Sequence, residues 1–341
     1  MDKYSLLECT LRDGGYITNW RFEDRTIRNI IQGSVDANID YIEVGYLNNK
    51  KYEKNTTQFE SIEQITEYLP ENRKQAMFLA MADVQQFYSE DLTPCTGNSI
   101  DGIRVVFYKH QIEEALKLSK AVKKAGYQLF VQPMVTVDYT IDEYVEVVKK
   151  FAVLQPYAVS IVDSFGYMTK QDFRKYFRVL DNILSQEVSI GFHSHNNMNL
   201  AFLTAQDVFE YNTQRNIILD CSLYGMGRGA GNLNTELIVN YYNMTLGTKY
   251  DCQKVIDLIS EYIMPIAKEK KWGYSPYLFI TGVKHYHPNF ACYLLDEHPE
   301  VSVSDFDKFL MTIPEEMKTK CKKNYVLDMW KMFVEDKKGN L

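Results

Sequence analysis

The sequence lacks the features that mark several common classes of protein. Its six cysteines include no Cys-x-x-Cys pair, which favours reduced thiols in a cytoplasmic protein. No apolar run approaches the roughly 20 residues that cross a bilayer, and the first residues lack the basic-then-apolar layout of a secretory signal. The net charge is −7 and no long lysine–arginine run is present, so we expect neither nucleic acid nor a membrane as partner.

What the sequence does have is a regular alternation of short apolar runs with longer amphipathic stretches. The apolar runs predict eight strands: Ser5–Thr10, Tyr41–Gly45, Met77–Met81, Gly102–Phe107, Gln128–Pro133, Ala158–Asp163, Val188–His193 and Ile218–Leu223. Helical patterns lie between them, and the clearest covers Ile112–Ala125 and ends at Gly126. Eight strand–helix units fit an α/β fold of the (β/α)8 type, the TIM barrel.

An open, doubly wound sheet shares this alternation, but polar side chains at several predicted strand ends favour the barrel. In a barrel the carboxyl ends of all strands face one site, whereas an open sheet gathers fewer of them. The rhythm changes near residue 250, after which helical patterns follow one another. We therefore predict a catalytic barrel over residues 1–248, with a mainly helical C-terminal extension over residues 249–341 packed on it.

The stretch Gly191–Asn197 is the most informative part of the sequence. His193 and His195 stand two positions apart at the end of a predicted strand, so both imidazoles point to the same side. Two such imidazoles need only a carboxylate to hold a divalent metal with open positions for a substrate. The alternative is a strand that ends in polar residues because it reaches water.

A carboxylate is available just after the first predicted strand. Asp13 supplies a hard oxygen ligand, and Arg12 supplies a permanent charge with a planar donor fork suited to a carboxylate or an enolate oxygen. The alternative for Asp13 is a helix cap or a turn residue. Two histidines and one carboxylate suit one divalent ion, with Mn as our first choice and Co, Zn, Fe(II) or Mg as the others.

The glycine-rich loop Gly225–Asn232 follows the eighth predicted strand, where barrels often bind anions. Asn232 could reach the metal or bind a substrate, and Arg228 could simply be a surface residue. A dinucleotide-binding loop is disfavoured because that motif belongs after the first strand.

Five further residues are candidates by their positions. Asp163 and Ser164 lie at the end of the sixth predicted strand and Glu43 lies towards the end of the second, where each could contact a substrate. Asp163–Ser164 could instead cap the next helix, and a buried Glu43 would need a partner, such as a metal ion or an arginine. His285 and His287 are either exposed loop residues or an acid or base that the extension brings to the barrel mouth.

These motifs together resemble the DRE-type metal-dependent aldolases and lyases, the superfamily of TIM barrels that includes HMG-CoA lyase, and they are nearest to its 4-hydroxy-2-oxovalerate aldolase branch. The likeness runs from Leu6 to about Asn243, and four segments anchor it: Thr10–Gly14, Asp163–Gly166, Phe192–Asn196 and Gly225–Asn232. The resemblance implies one divalent metal that acts as a Lewis acid on a pyruvate-like fragment. The metal ligands that it implies are Asp13, His193, His195 and Asn232. It also implies that Arg12 steadies the enolate of a 2-oxo acid and that Ser164 touches the carboxylate.

The sequence departs from the family pattern at Tyr16. Aldolases of the 4-hydroxy-2-oxovalerate type carry a histidine base at this position, three residues after the metal-binding aspartate. Because tyrosine is a poor base near neutral pH unless its pKa is lowered, we assign proton transfer to a tuned Tyr16, to water, or to His285 or His287. Phe165 replaces a small residue of the family and should narrow the pocket.

We therefore predict an enzyme, a metal-dependent aldehyde-lyase that cleaves or forms a 4-hydroxy-2-oxo acid through a pyruvate-type enolate. Its partners would be a small 2-oxo acid and an aldehyde, and a homo-oligomer is allowed. Two alternatives stay open: a Claisen-type synthase with an acyl-CoA donor, and a barrel without catalysis that serves as a binding subunit. The missing histidine base supports the last alternative, and the retention of every expected ligand argues against it.

Overall fold

The computed structural model describes residues 3–211 and 213–339, and its strands form a closed parallel barrel. The strands are β1 (Tyr4–Glu8), β2 (Tyr41–Leu47), β3 (Gln58–Phe59), β4 (Met77–Asp83), β5 (Gly102–Phe107), β6 (Gln128–Pro133), β7 (Ala158–Asp163), β8 (Ser189–Ser194) and β9 (Ile217–Cys221). Within the described residues, eight of them pair in the order β1-β9-β8-β7-β6-β5-β4-β2, and pairing of β1 with β2 closes the ring. The predicted TIM barrel is confirmed.

All eight predicted strands are present, and β5, β6 and β7 have the predicted bounds. The structure adds β3, a two-residue strand beside β2, which the sequence analysis missed because two residues carry no recognisable alternation. The last predicted strand ends earlier than expected, at Cys221, because Leu223 begins a turn.

Helices alternate with the strands and then continue into the extension. They are α1 (Thr10–Asp13), α2 (Gly15–Thr18), α3 (Asp24–Asp36), α4 (Ile62–Thr66), α5 (Ile112–Ala125), α6 (Ile141–Ala152), α7 (Lys170–Ile183), α8 (Ala201–Val208), α9 (Thr235–Leu246), α10 (Cys252–Leu258), α11 (Met264–Glu269), α12 (Pro276–Val283), α13 (Asn289–Glu297), α14 (Val303–Leu310) and α15 (Lys323–Gly339). A π-helical turn at Ile259–Ile263 joins α10 to α11. Across the described ranges, none of these helices combines the length and the apolar character that crossing a membrane requires.

The inner face of the barrel has an apolar lower layer and a charged layer above it. Tyr41 and Ile218 belong to the apolar cluster that fills the lower part. Residues two positions apart in a strand share a face, so Glu43 and Asp220 follow them on the inside, nearer the carboxyl ends of β2 and β9. Both carboxylates are buried, and this placement prepares a polar site at the carboxyl-terminal mouth.

The extension packs on the barrel mouth through its own apolar core. Ala230, in the loop after β9, belongs to the same cluster as Leu278 and Phe290 of α12 and α13. A Cβ atom on Gly229 would lie 3.1 Å from Cβ of Pro288, so the extension touches the glycine-rich loop directly. The division into residues 1–248 and 249–341 stays a prediction. The helix α10, which begins shortly after residue 248, packs on α3 of the barrel.

Glu8, the last residue of β1, is a buried carboxyl in the wall of the barrel. One of its oxygens accepts hydrogen bonds from the backbone and hydroxyl of Thr10, and the other accepts from the hydroxyl of Thr235 at 2.7 Å. Burial outweighs these hydrogen bonds and raises the pKa of Glu8 to about 7. The protonated form is therefore the stable form of this group in the folded protein below neutral pH.

We expect Glu8→Gln to stabilise the protein more at alkaline than at acidic pH. The folded state binds the proton of Glu8 more tightly than the unfolded chain does. The protonated carboxyl therefore makes its full contribution to the stability of the folded state below the ordinary pKa of glutamate, and this contribution is lost as the pH rises through about 7. The free energy of unfolding of the variant, relative to wild type, should increase by roughly 2–3 kcal/mol between about pH 5 and about pH 8. Urea unfolding at both pH values measures this, with exposed Glu187→Gln as the control. A constant difference between variant and wild type would show that Glu8 is charged throughout.

Candidate metal centre

Asp13, His193 and His195 meet at the carboxyl-terminal mouth of the barrel. Asp13 ends the single-turn helix α1, which follows β1 directly, and His193 lies in β8 two positions before His195. All three side chains are buried, and one ligand atom from each lies within 4.8 Å of the others. Residues that are far apart in the sequence therefore form a cluster of a size that fits one ion.

Two of these residues are held in the protonation states that a metal requires. Burial opposes ionisation of Asp13, but the positive charge of Arg12 overcomes it and lowers the pKa of the carboxyl well below its usual value. Burial lowers the pKa of His195 to about 3, against the attraction of the Asp13 carboxylate. At neutral pH the site therefore offers an ionised carboxylate and a neutral imidazole with a free lone pair.

The orientation of His193 is set by Asp220, at the inner face of β9. Nδ1 of His193 lies 2.9 Å from Oδ2 of Asp220. Burial tends to raise the pKa of Asp220, but the positive charge of Arg104 outweighs this effect and the pKa is lowered. Asp220 is therefore ionised and accepts the hydrogen bond that Nδ1 of His193 donates. The lone pair of the other ring nitrogen is then free for a metal, which is the arrangement typical of ligand histidines. The sequence analysis missed Asp220, although its position two residues after Ile218 on a predicted strand was a usable signal.

Asn232 lies beside the same cluster with an unused oxygen. Its Oδ1 is buried and has no hydrogen-bond partner among the described residues, and the same holds for Oδ2 of Asp13. A Cβ atom on Gly227 would lie 2.7 Å from that Asp13 oxygen and 2.5 Å from Nδ2 of Asn232, so only glycine leaves this space open. Buried acceptor oxygens without donors are costly, and a cation between them would remove the cost. The donor set of oxygens and imidazole nitrogens fits a divalent metal.

Arg12 connects the cluster to a buried network of charges. Its Nη1 lies 2.5 Å from Oδ1 of Asp13, and its Nε lies 2.7 Å from Oε2 of Glu43. The same Glu43 oxygen lies 3.0 Å from Nη1 of Arg104, which also pairs with Asp220. Glu43 therefore positions two arginines through one oxygen. Its other oxygen, Oε1, is buried without a hydrogen-bond partner among the described residues, and its contact with a substrate stays a prediction. The Nη2 group of Arg12 is buried without a partner in the part of the chain that the structure describes, and remains available to a ligand.

Arg228 extends over the mouth, so it is not the simple surface residue that the sequence also allowed. Its guanidinium carbon lies 5.1 Å from the ring centre of Tyr16 and 6.0 Å from that of Phe165, and its Nη2 donates to the carbonyl oxygen of Ser164 at 2.8 Å. The long-range contact with Ser164 could not be seen in the local sequence. Tyr16 is partly exposed, and its hydroxyl lies 3.3 Å from that of Tyr46.

Ser164 and Asp163 are both buried at the end of β7 but differ in how they are used. The Ser164 hydroxyl accepts the N–H of Val135 at 2.8 Å, which leaves its own proton for a ligand. The Asp163 carboxylate accepts the N–H of Tyr167 at 3.0 Å within its own turn, and burial raises its pKa to about 7. It caps this turn, whereas the cap of α7 is Thr169. The structure thus gives Asp163 a structural partner, and a contact of either residue with a substrate stays a prediction.

The two histidines of the extension lie in different environments. His287 is buried, and its ring centre lies 4.8 Å from that of Phe165, on the side of the metal cluster. His285 is exposed and stacks on Tyr167, with ring centres 4.4 Å apart. Of the pair, His287 is therefore the one that the extension places at the mouth.

His287 is held as a neutral hydrogen-bond donor. Its Nδ1 accepts the backbone N–H of Asn289 at 3.1 Å, so the neutral ring carries its proton on Nε2. Burial lowers the pKa of His287 well below its usual value, and the charge of Arg228 adds to this effect. A neutral imidazole of this kind can polarise a substrate oxygen.

The family model described as HMGL-like matches residues 3–261, which includes every strand of the barrel and the metal cluster. The chain belongs to the HMGL-like family. The resemblance inferred from the motifs is thereby confirmed, as is the prediction that the chain is an enzyme of the lyase and aldolase type. HMGL-like aldolases use a divalent metal ion, and the cluster of Asp13, His193 and His195 offers this member a site for one.

Relatives of this HMGL-like protein carry two activities in their names. It is 26% identical over 263 residues to 4-hydroxy-2-oxovalerate aldolase from Geobacillus genomosp. 3, with 76% of each chain covered. It is 25% identical over 236 residues to oxaloacetate decarboxylase from Mycobacterium tuberculosis, with 69% of this chain and 68% of the relative covered.

Two solved structures show the same fold. The N-terminal domain of a candidate aldolase from Bacteroides vulgatus aligns with a TM-score of 0.73 and 26% identity, over 91% of this chain and 100% of that one. HMG-CoA lyase from Brucella melitensis aligns with a TM-score of 0.61 and 16% identity, over 76% and 96% of the two chains. The first alignment extends beyond the barrel into the extension.

Proposed function

We propose that this HMGL-like enzyme is a divalent-metal-dependent aldolase that cleaves or forms a 4-hydroxy-2-oxo acid through a pyruvate-type enolate. The observation that carries the proposal is the meeting of Asp13, His193 and His195 beside Arg12, whose Nη2 group has no partner among the described residues. Such a site pairs a place for a cation with a fixed donor for a developing negative charge. The aldolase relatives support the same reaction class.

The ligands that we propose for the metal are Asp13, His193 and His195, with Asn232 as the fourth. Oxygen and imidazole donors together favour Mn, with Mg, Co or Zn as alternatives. When bound, the ion supplies Lewis-acid polarisation of the oxygens of the 2-oxo acid. Asp220 acts through His193 and is a positioning residue.

In the proposed cleavage, the C3–C4 bond of the substrate breaks, the alcohol on C4 loses its proton to become an aldehyde, and the bond electrons pass to the enolate of pyruvate. Arg12 faces this enolate with its free Nη2 group, in an orientation fixed by Glu43. Ser164 donates its hydroxyl proton to the carboxylate of the 2-oxo acid. The enolate then takes a proton from solvent water at C3, which releases pyruvate.

Proton transfer falls to groups at the mouth, because the family's histidine base is replaced by Tyr16. We propose that His287 donates a hydrogen bond from Nε2 to the oxygen on C4. The alcohol on C4 passes its proton to the Tyr16 hydroxyl, beside that of Tyr46, which at the same time releases its own proton to solvent water. In this scheme His285 has no part in the reaction, since its ring is exposed and stacked on Tyr167.

Two matched substitutions test the assignment of His287. We expect His287→Ala to lower kcat for aldol cleavage about 100-fold, the usual effect of losing one fixed hydrogen-bond donor to an oxygen that gains negative charge. His285→Ala should stay within about twofold of wild type, as is typical of surface substitutions. Steady-state pyruvate release from 4-hydroxy-2-oxopentanoate measures both, and circular dichroism checks that both variants fold. An unimpaired His287→Ala would contradict the assignment and leave Tyr16 or water as the only group that contacts the C4 oxygen in this scheme.

The reaction class is tested by metal analysis of the purified enzyme together with product assays. Pyruvate release from several 4-hydroxy-2-oxo acids, dependent on added Mn and abolished by a chelator, is the expected result. Thiol release from acetyl-CoA in the presence of a 2-oxo acid would instead support a Claisen-type synthase. A protein that binds Mn but releases neither product would contradict the proposed activity.

A further inference from the structure

Arg228 carries a positive charge that forms no ion pair with a carboxylate of the described residues. Its Nη2 donates to a neutral acceptor, the carbonyl oxygen of Ser164, and its Nε is buried without any hydrogen-bond partner in residues 3–211 and 213–339. No carboxylate forms an ion pair with it in the same described ranges. The electrostatic influence of Arg228 nevertheless reaches Asp13 and His195, so this charge lies close to the metal cluster.

The position of Arg228 is fixed by its neighbours in the glycine-rich loop. Gly227, the preceding residue, lies against the unpartnered oxygen of Asp13, and Gly229, the following one, lies against Pro288 of the extension. Arg228 is therefore placed between the metal cluster and the extension, on the rim where a substrate would enter. Together with the free Nη2 group of Arg12, the site presents two unsatisfied guanidiniums to one ligand.

The buried charges of the site indicate the charge of that ligand. Burial raises the pKa of Asp163 to about 7, so its protonated form is favoured below neutral pH. The remaining buried guanidiniums and carboxylates of the described site are equal in number: Arg12, Arg104 and Arg228 against Asp13, Glu43 and Asp220. A divalent metal adds two positive charges, which a monoanionic 2-oxo acid neutralises only by half. Uncompensated charge in a water-poor site is costly, whereas a dianion restores neutrality.

We propose that the substrate is a 2-oxo acid with a second, distal carboxylate, and that Arg228 is the residue that binds it. The proposal rests on the proposed function, since it assumes that the 2-oxo acid end faces the metal and Arg12. A planar guanidinium fork suits a carboxylate. A distal phosphate would give the ligand more negative charge than the two positive charges of the metal can neutralise. The charge balance of the site therefore favours a distal carboxylate.

Binding of two inert analogues of equal length tests the proposal without turnover. 2-Oxopentanedioate and 2-oxopentanoate differ only in a distal carboxylate against a methyl group, and neither has the 4-hydroxyl group that cleavage requires. In the presence of Mn, calorimetry should show that wild-type enzyme binds the dianion about 10- to 100-fold more tightly, the effect of a charge-assisted hydrogen bond. Equal affinities for the two analogues, or binding of neither, would overturn the proposal.

Two variants assign the preference to Arg228. Arg228→Gln should bring the affinity ratio close to one, and Arg228→Lys, which keeps the charge, should retain most of it. A ratio that survives in Arg228→Gln would overturn the assignment, and Arg228→Lys serves as the folded reference if the glutamine variant is unstable. Pyruvate release by wild type from 4-hydroxy-2-oxopentanoate and 4-hydroxy-2-oxopentanedioate distinguishes a failure of the proposed function from a failure of the dianion proposal. Release from neither compound overturns the proposed function, whereas equal efficiency with both overturns only the dianion proposal.

Discussion

His195→Ala should abolish both metal binding and pyruvate release. The substitution removes one of the three clustered ligand groups, so that only Asp13 and His193 of this cluster remain to bind the cation. Loss of an outer partner of a metal ligand already costs about 10- to 100-fold in affinity, so loss of the ligand itself should cost more than about 100-fold. Calorimetric titration with Mn measures the affinity, and thermal unfolding gives a second readout. Wild type should gain about 2.7 kcal/mol of stability at a Mn concentration 100 times its dissociation constant, and the variant should gain none.

His110→Ala is the matched control for this result. His110 is exposed and far along the chain from the cluster, and its ring stacks on Tyr108. The control should bind Mn and release pyruvate as wild type does. Full activity and an unchanged response to Mn in His195→Ala would contradict the ligand assignment.

Arg12→Lys should retain metal binding and lose most of the catalysis. Lysine keeps a positive charge next to Asp13, but one ammonium group cannot bind Asp13 and Glu43 and also present a third, fixed donor to the enolate. Removal of one such donor costs about 100- to 1,000-fold in kcat in comparable oxyanion sites. We expect a loss of this size in pyruvate release, with Mn affinity close to that of wild type.

A second readout distinguishes this role of Arg12 from a purely structural one. Exchange of the pyruvate C3 protons with deuterated solvent depends on the enolate alone and should fall in parallel with cleavage in Arg12→Lys. His287→Ala should instead retain this exchange, because His287 is assigned to the oxygen on C4. Retention of normal exchange in Arg12→Lys would show that Arg12 does not stabilise the enolate.

The barrel and the centre of the site were accessible to sequence reasoning because their signals are local. Apolar runs mark buried strands wherever they occur, and three of them had the observed bounds. His193 and His195 share a face by the geometry of one strand, and Asp13 follows another strand end. Once a barrel is inferred, the carboxyl ends of these strands must meet at the same mouth of the barrel.

The contacts that complete the site were not accessible because they depend on the packing of distant segments. The pairing of Asp220 with His193 joins neighbouring strands, and the sequence does not state which partner a histidine selects. The glycine-rich loop alone also allowed Arg228 to be a surface residue, and its place at the mouth follows from its contact with Ser164. The different environments of His285 and His287 are set by how the extension packs.

A crystal soaked with Mn and pyruvate tests the central claim most directly, through the anomalous scattering of the metal. We expect one strong peak at the barrel mouth, within about 2.0–2.3 Å of an Asp13 oxygen and of one nitrogen each from His193 and His195. Pyruvate should contact both the ion and the Nη2 group of Arg12. A mouth without an anomalous peak, or a Mn ion bound elsewhere with pyruvate beside it, would contradict the account.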